Sequence, residues 1–514
     1  MTASEGITTR VVRGGMWGMG GQSLALVASF VATPFVVRQL GVESYGVLAL
    51  INLLIGYLSF TDVGMGEAST RFAAAAHERG DDAEEASIVW TTLIIAFVPS
   101  VVGALALVIG AEILTRRVFA LPESLQAPAI VGFRIAALGF VARSVAGVLN
   151  TPQLVRLRLD LCTIINSGFG ILQICLIPVV LHFGGGLIGA ACVIAAAAVA
   201  TATAHGILGL HLLQELSRPR FRRTLFAGLT SFGAAVAASA LLSIALGSGE
   251  KLMLTSLATV TALAYYSIAQ TFAGVLSVVP SALGQALMPA FARLGALPSR
   301  GPLQQLYARA LRAMLFGTPP VLLMLCVIAR PFFTVWAGPD FGRESTGPFY
   351  ILAAGLLLNL IAFVPYRMLT ALGRAAFIAR YHALELVPHL ASAALFTYWL
   401  GASGAALAWS LRQLAGAVVF LTAALRLERL RPAPLPANRL GFAAALSVLV
   451  VPVMGGLVFA FPFAATVAVA ALSTTAYVCL VWTQVLSVEE RAWVGTIVRH
   501  RRAVAGMPEN GVAL

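Results

Sequence analysis

The sequence predicts an all-α integral membrane protein with 14 transmembrane helices, and three observations predict it. Hydrophobic residues make up 59% of the 514 and charged residues only 11%, whereas a soluble globular domain carries about 25% charged residues; mean hydropathy is +0.90. Long apolar runs recur along the whole chain, each enough for the ~20 residues that a helix needs to cross ~30 Å of hydrocarbon. Strict polar/apolar alternation is absent, so helices rather than a barrel must satisfy the backbone in lipid.

Charge and turn residues mark the spans in order. Six are expected near 12–39, 44–76, 86–111, 128–149, 159–182 and 187–212, and six more near 224–257, 263–292, 305–329, 346–370, 375–399 and 403–426. The first follows Arg10 and Arg13 without a small-residue cleavage site, so it reads as an uncleaved span. The seventh and eighth share residues 224–292, whose only charges are Glu250 and Lys251, the latter the single lysine of the chain. A turn at "GSGEK" would leave about 41 residues for one span, far beyond the usual ~17 to 25. A turn near "ATVTA" divides the stretch evenly and puts Glu250 and Lys251 on the outer part of helix seven. After the twelfth span, Pro432, Pro434 and Pro436 of "RPAPLPAN" make a stiff linker, and two further spans follow near 439–460 and 463–486. The closing "VEERAWVGTIVRHRR" puts Trp493, Ile497 and Val498 on one side with arginines beside them, the pattern of an interfacial helix on anionic lipid.

Cytoplasmic loops collect Lys and Arg. With the N-terminus inside, 25 of the 34 Lys plus Arg fall at cytoplasmic ends, and only Arg38, Arg116, Arg117, Arg330 and Arg343 fall outside. Both termini are therefore expected in the cytoplasm. An internal repeat runs through the chain: "GLIGAA" at 186–191 returns as "GASGAA" at 401–406, Tyr45 matches Tyr265, and Arg71 matches Arg293, at offsets of 215, 220 and 222. An even number of spans per repeat makes two pseudo-symmetric lobes about an axis along the membrane normal. The expected division is an N-terminal six-helix lobe, 1–215, a C-terminal six-helix lobe, 216–430, two additional helices, 431–487, and a cytoplasmic interfacial helix and tail, 488–514.

The net charge of +13 lies in short clusters between apolar runs, not in a basic domain, which argues against a nucleic-acid partner. Cys162, Cys175, Cys192, Cys326 and Cys479 all fall in apolar segments without motif spacing, so neither disulfides nor a metal site is expected. No phosphate-binding glycine loop with its Gly-Lys ending, no HExxH and no nucleophile elbow occurs. The expected outer loops are short, with Glu43, Glu123, Asp340 and Glu344 as their main acids. An enzyme is the weaker class.

A charge inside a span costs roughly 2.5 to 3.5 kcal/mol and normally faces a bundle interior or an aqueous cavity. Lys251, Arg134, Arg412, Arg143 and Arg38 are accordingly the candidates for binding an anionic substrate. Each has a plainer alternative. Lys251 can snorkel to the outer interface beside Glu250, Arg134 and Arg412 can pair with carbonyls, and Arg143 and Arg38 can serve as positioning charges. Asp62 in "FTDVGMGEASTR" and Glu250 are the candidates for coupling to an H+ or Na+ gradient, with capping of a helix break as the alternative for Asp62. Glu385 reads as the structural partner of a nearby cation, and His205 and His389 read as satisfied packing residues.

"RQLGVESYGVLAL", "LSFTDVGMGEASTRFA", "GSGEKLML", "YYSIAQ" and "MPAFARL" together resemble the polysaccharide transporter (Wzx-type flippase) branch of the multidrug/oligosaccharidyl-lipid/polysaccharide superfamily. The similarity spans about 10–486. It implies two six-helix lobes around a central cavity plus two helices, and a protein that flips undecaprenyl-diphosphate-linked oligosaccharide to the outer leaflet of the bacterial cytoplasmic membrane by alternating access. Lipopolysaccharide O-antigen and exopolysaccharide assembly are the settings it implies. No cofactor is expected, a monomer is expected, and membrane lipid, a polysaccharide polymerase and chain-length machinery are the implied partners. In that family an Asp usually stands where Glu250 stands. Two sister groups are the alternatives. Multidrug exporters have twelve spans and would want an acidic cavity, and lipid II flippases carry an arginine-rich first-span pattern that is not seen here.

Overall fold

The computed structural model describes residues 3–58, 64–277, 287–288, 290–295, 297–428, 430, 463–480 and 482–483, and among them there is no β-strand. The helices are α1 (Ala3–Leu58), α2 (Met65–Glu78), α3 (Asp82–Ile113), α4 (Glu123–Leu149), α5 (Thr151–Val155), α6 (Leu159–His182) and α7 (Gly186–Leu212). They continue as α8 (Arg223–Leu257), α9 (Val260–Gly274), α10 (Gly301–Trp336), α11 (Pro339–Glu344), α12 (Thr346–Ala371), α13 (Ala375–Leu427) and α14 (Phe463–Leu480). Among the described residues nine helices are long and apolar enough to cross a membrane.

Glycines resolve where spans begin and end. α1 and α13, 56 and 53 residues long, are each two helical segments joined at a glycine, Gly41 (φ 77°) and Gly401 (φ 54°). These breaks fall in the gaps expected between spans one and two and between spans eleven and twelve. The repeat is visible here as backbone geometry: Gly186 and Gly401, which open "GLIGAA" and "GASGAA", both have φ of 54°, a region that side chains other than hydrogen occupy at a cost. Their second glycines behave alike too, Gly189 lying against Val180 and Gly404 against the backbone of Phe396. Tyr45 and Tyr265, also paired by the repeat, both stand edge-on to Phe341, at 6.4 and 5.2 Å.

The turn between spans seven and eight falls at "ATVTA": α8 ends at Leu257, and the Thr259 hydroxyl caps α9 by accepting from the Ala262 N–H at 3.0 Å. Within the run expected for span two, 44–76, the chain leaves helical geometry at Gly64, whose φ is 62°, and α2 begins at Met65. Asp62, the linker prolines, the span expected at 439–460 and the closing interfacial segment lie outside the described residues.

Contacts divide the chain into two compact units, one of Met1–Leu283, Arg330–Leu352 and Gly373–Arg412, the other of Gly284–Ala329, Ala353–Leu372 and Gln413–Leu514. In the first, α4 packs along α7 through small residues, with Gly139 against Ala195 and with Ala190, Ala191 and Ala198 buried. Lipid offers no hydrophobic drive between helices, so close backbone approach has to supply the packing. α1 meets α9 in the same way, Gly46 resting on the Val260 carbonyl. Gly46→Leu would drive a side chain into backbone, which overpacking data value at about 1–3 kcal/mol. A lowered Tm of the detergent-purified variant is the expected result, and an unchanged Tm would remove Gly46 from this contact. An aromatic stack of Phe30, Phe272, Phe332 and Trp336, with centroids 4.8–6.2 Å apart, ties α1 and α9 to the end of α10, and the Trp336 indole donates to the Phe30 carbonyl at 2.9 Å. In the second unit, Asn359 donates to Gln413 at 2.7 Å, and Leu356, Leu357, Leu360 and Phe420 are buried.

Candidate functional site

Consecutive residues on an α-helix point about 100° apart, and α8 uses that angle to separate its two charges. Glu250 is fully buried. Lys251 instead lines a cavity of about 490 Å³ formed by α1, α8 and α9. Asn52 and Tyr57 from α1, Ser248 from α8, and Ser267 and Thr271 from α9 give this cavity polar walls, and Lys251 is its one charged lining residue among the described residues. Snorkelling to an interface is therefore not needed to explain the lysine.

The buried carboxylate faces the other way, toward α9 and α13. The Tyr266 hydroxyl donates to Glu250 Oε1 at 3.0 Å, and His389 Nε2 stands 3.5 Å from Glu250 Oε2. α8 can come this close to α13 because the neighbouring residue is Gly249, where a Cβ would lie 2.6 Å from the Leu390 side chain. A second carboxylate follows one turn back along α13. Glu385 takes His382 Nδ1 at 2.6 Å and Arg412 Nη1 at 3.7 Å. Arg412 reaches it because the break at Gly401 folds the second segment of α13 back along the first. His382, Glu385 and His389 share one face, being three and seven residues apart.

The other expected site residues lie elsewhere. Arg134 and Arg143 are exposed on α4, and Arg134 shares its face with the exposed Val131 and Leu138. Arg38 donates to the Val335 carbonyl in the last turn of α10, a favourable place for a cation beside unpaired carbonyls. Of the five expected cations only Lys251 lines the described cavity, while Arg412 is held by Glu385. The reading of Glu385 as partner to a cation matches this geometry. His205 is buried, with Nε2 3.3 Å from Asn166 Oδ1, in keeping with a packing role. His389 does more than pack, since its ring meets the Glu250 carboxylate. Tyr266 drew no attention in the sequence, and its link to Glu250, 16 residues away across the α8–α9 turn, is a matter of packing alone.

A further polar knot joins α2, α3 and α5. The fully buried Glu85 is held by Arg156 at 2.6 Å and by His77 at 3.2 Å. Ligand atoms of His77, Asp82 and Glu85 lie within 4.8 Å of one another, but Arg156 engages both Glu85 oxygens, so the grouping is a satisfied ion pair rather than a metal site.

The sequence profile of a family described as "Polysaccharide biosynthesis protein" matches residues 11–295, a stretch that includes Glu250, Lys251 and Tyr266. The chain is 22% identical over 415 residues to a "Putative O-antigen transporter" of Shigella flexneri, covering 80% of this chain and 96% of that one. It is 24% identical over 364 residues to the "Uncharacterized membrane protein EpsK" of Bacillus subtilis (strain 168), covering 66% and 68%. In fold it is similar to an inward-facing MATE family transporter of the MOP superfamily, with a TM-score of 0.66 at 16% identity, covering 79% of this chain and 95% of that one. It is also similar to the lipid II flippase MurJ in an inward closed conformation, with a TM-score of 0.67 at 11% identity, covering 92% and 99%. These two likenesses are of fold.

Proposed function

Because the chain belongs to the polysaccharide biosynthesis protein family, we propose that it carries an undecaprenyl-diphosphate-linked oligosaccharide from the inner to the outer leaflet of the bacterial cytoplasmic membrane by alternating access. The observation that carries this reading is Lys251, the one charge among the described residues on a polar cavity within a bundle of apolar helices. A half-buried cation among hydroxyls and an amide suits a diphosphate flanked by a sugar, since charge-assisted hydrogen bonds are about twice as strong as neutral ones. The polyprenyl tail stays in lipid. A drug-cation exporter would need an acidic cavity, and the described lining residues carry no acid.

Glu250 is proposed as the coupling group for an H+ gradient, with Asp62 as a second acid in span two. Arg134 and Arg143 are proposed as secondary headgroup contacts on α4. Arg412 acts through Glu385, and Arg38 holds the end of α10. The proposed arrangement is a monomer with both termini cytoplasmic and two lobes, 1–215 and 216–430. Helices 431–487 and the tail 488–514 are proposed to face membrane lipid. A polymerase and chain-length machinery would take the product at the outer face. No covalent chemistry is assigned to the chain.

Deleting the gene tests the reading. Lipid-linked glycan is expected to accumulate on the inner leaflet, with loss of surface polymer. Unchanged polymer with altered drug sensitivity would overturn it.

A further inference from the structure

His389 is buried to 3% exposure, and neither of its ring nitrogens has a hydrogen-bond partner among the described residues; the same holds for Glu250 Oε2. Buried polar atoms in native proteins are nearly always paired, and an orphan costs about as much as a lost hydrogen bond. Here two orphans face each other at 3.5 Å, just beyond a normal hydrogen bond. One proton placed between them satisfies both. From this pair an alternation of acids and imidazoles runs along one face of α13, with Glu385 four residues from His389 and His382 2.6 Å from Glu385. Exposure rises along it, from 1% for the His389 side chain to 8% for Glu385 and 27% for His382. At the other end Tyr57 of α1 both lines the Lys251 cavity and lies within electrostatic reach of Glu250.

We propose that His389 is the proton carrier of Glu250, and that His382, Glu385 and His389 form a relay along α13 between the buried carboxylate and the half-buried His382. The inference rests on the coupling role given to Glu250 above. In the step itself the Glu250 O–H bond breaks as an N–H bond forms at His389 Nε2, turning a neutral pair into carboxylate and imidazolium. The imidazolium then releases its Nδ1 proton by way of a water molecule to Glu385, four residues away on the same face, and the Glu385 O–H proton passes to His382 at 2.6 Å. The surrounding titratable and charged groups are Tyr57 of α1, Lys251 of α8, Tyr266 of α9, and Tyr381 and Arg412 of α13. Arg412 stands 3.7 Å from Glu385, and Lys251 ties the charge on Glu250 to occupancy of the cavity.

The test uses full-length protein in proteoliposomes with the lipid-linked glycan extracted from the source cells. Flipping is measured without a gradient and with a proton gradient imposed in either direction, and proton flux is followed by an internal pH dye. Wild type is expected to flip in both conditions, faster with a gradient in one direction. His389→Gln is expected to keep gradient-free flipping within about twofold, to lose at least tenfold of the gradient-driven component and of the proton flux, and to flatten the pH profile. His382→Gln is expected to show a weaker form of the same split. Unchanged gradient-driven flipping in His389→Gln overturns the relay, as does equal loss of both components or a wild type indifferent to the gradient. A wild type that flips nothing under any condition overturns the transport reading instead.

Discussion

Lys251→Ala is expected to lower translocation of lipid-linked glycan about 10- to 100-fold while leaving the folded protein intact. The size follows from the chemistry lost. A hydrogen bond to a charged group is worth about 1.5–3 kcal/mol, and each 1.4 kcal/mol is a factor of ten. Among the described residues Lys251 is the only charge that lines the cavity, so none of the other described lining side chains replaces it. Folding should survive because the ammonium faces the cavity rather than an ion pair that packs helices together. Lys251→Arg keeps the charge and should retain much of the rate, whereas Lys251→Gln, which keeps hydrogen bonding but not charge, should resemble Ala. Flipping in proteoliposomes, with size exclusion to verify the fold, decides it. Wild-type rates in Lys251→Ala would take the lysine out of substrate binding and remove the main support for an anionic cargo.

How much of this was legible beforehand depends on the kind of signal involved. Membrane helices follow from composition and run length, so α4, α6, α7 and α12 lie close to their expected limits. Break points follow from glycine, as Gly41 and Gly401 show. The rarity of charge in the span carrying Glu250 and Lys251 marked that pair, because the bilayer makes each such residue costly. What charge scarcity does not tell is direction. Arg134, Arg143 and Arg412 look alike as lone arginines in apolar runs. Yet two are exposed on α4 and the third is folded back onto Glu385 by a glycine break eleven residues earlier. The pairing of Glu250 with Tyr266 and His389 was hidden for a related reason. His389 lies 139 residues further on, and only the packing of α8 on α13 at Gly249 joins the two. The signal that existed was the spacing of His382, Glu385 and His389 on one face of an otherwise apolar segment.

The double variant Glu250→Leu/Tyr266→Phe is expected to melt no lower than wild type and to lose gradient-driven translocation at least a hundredfold. Taking a carboxylate out of water costs several kcal/mol, and replacing a buried ionic group together with its partner by apolar residues of similar volume is often neutral or stabilising by about 1–4 kcal/mol. The compensation at Glu250 is small: one hydroxyl at 3.0 Å and one imidazole at 3.5 Å with its nitrogens unpaired. Glu250→Leu alone would leave the fully buried Tyr266 hydroxyl without its acceptor, at about 1–3 kcal/mol. Removing that hydroxyl in the same variant avoids the loss. A side chain that weakens the fold where it stands, yet whose removal abolishes coupled transport, is kept for its proton. A clear fall in Tm, measured alongside flipping in proteoliposomes, would instead make Glu250 a structural anchor between α8, α9 and α13, and coupling would then have to lie with another acid.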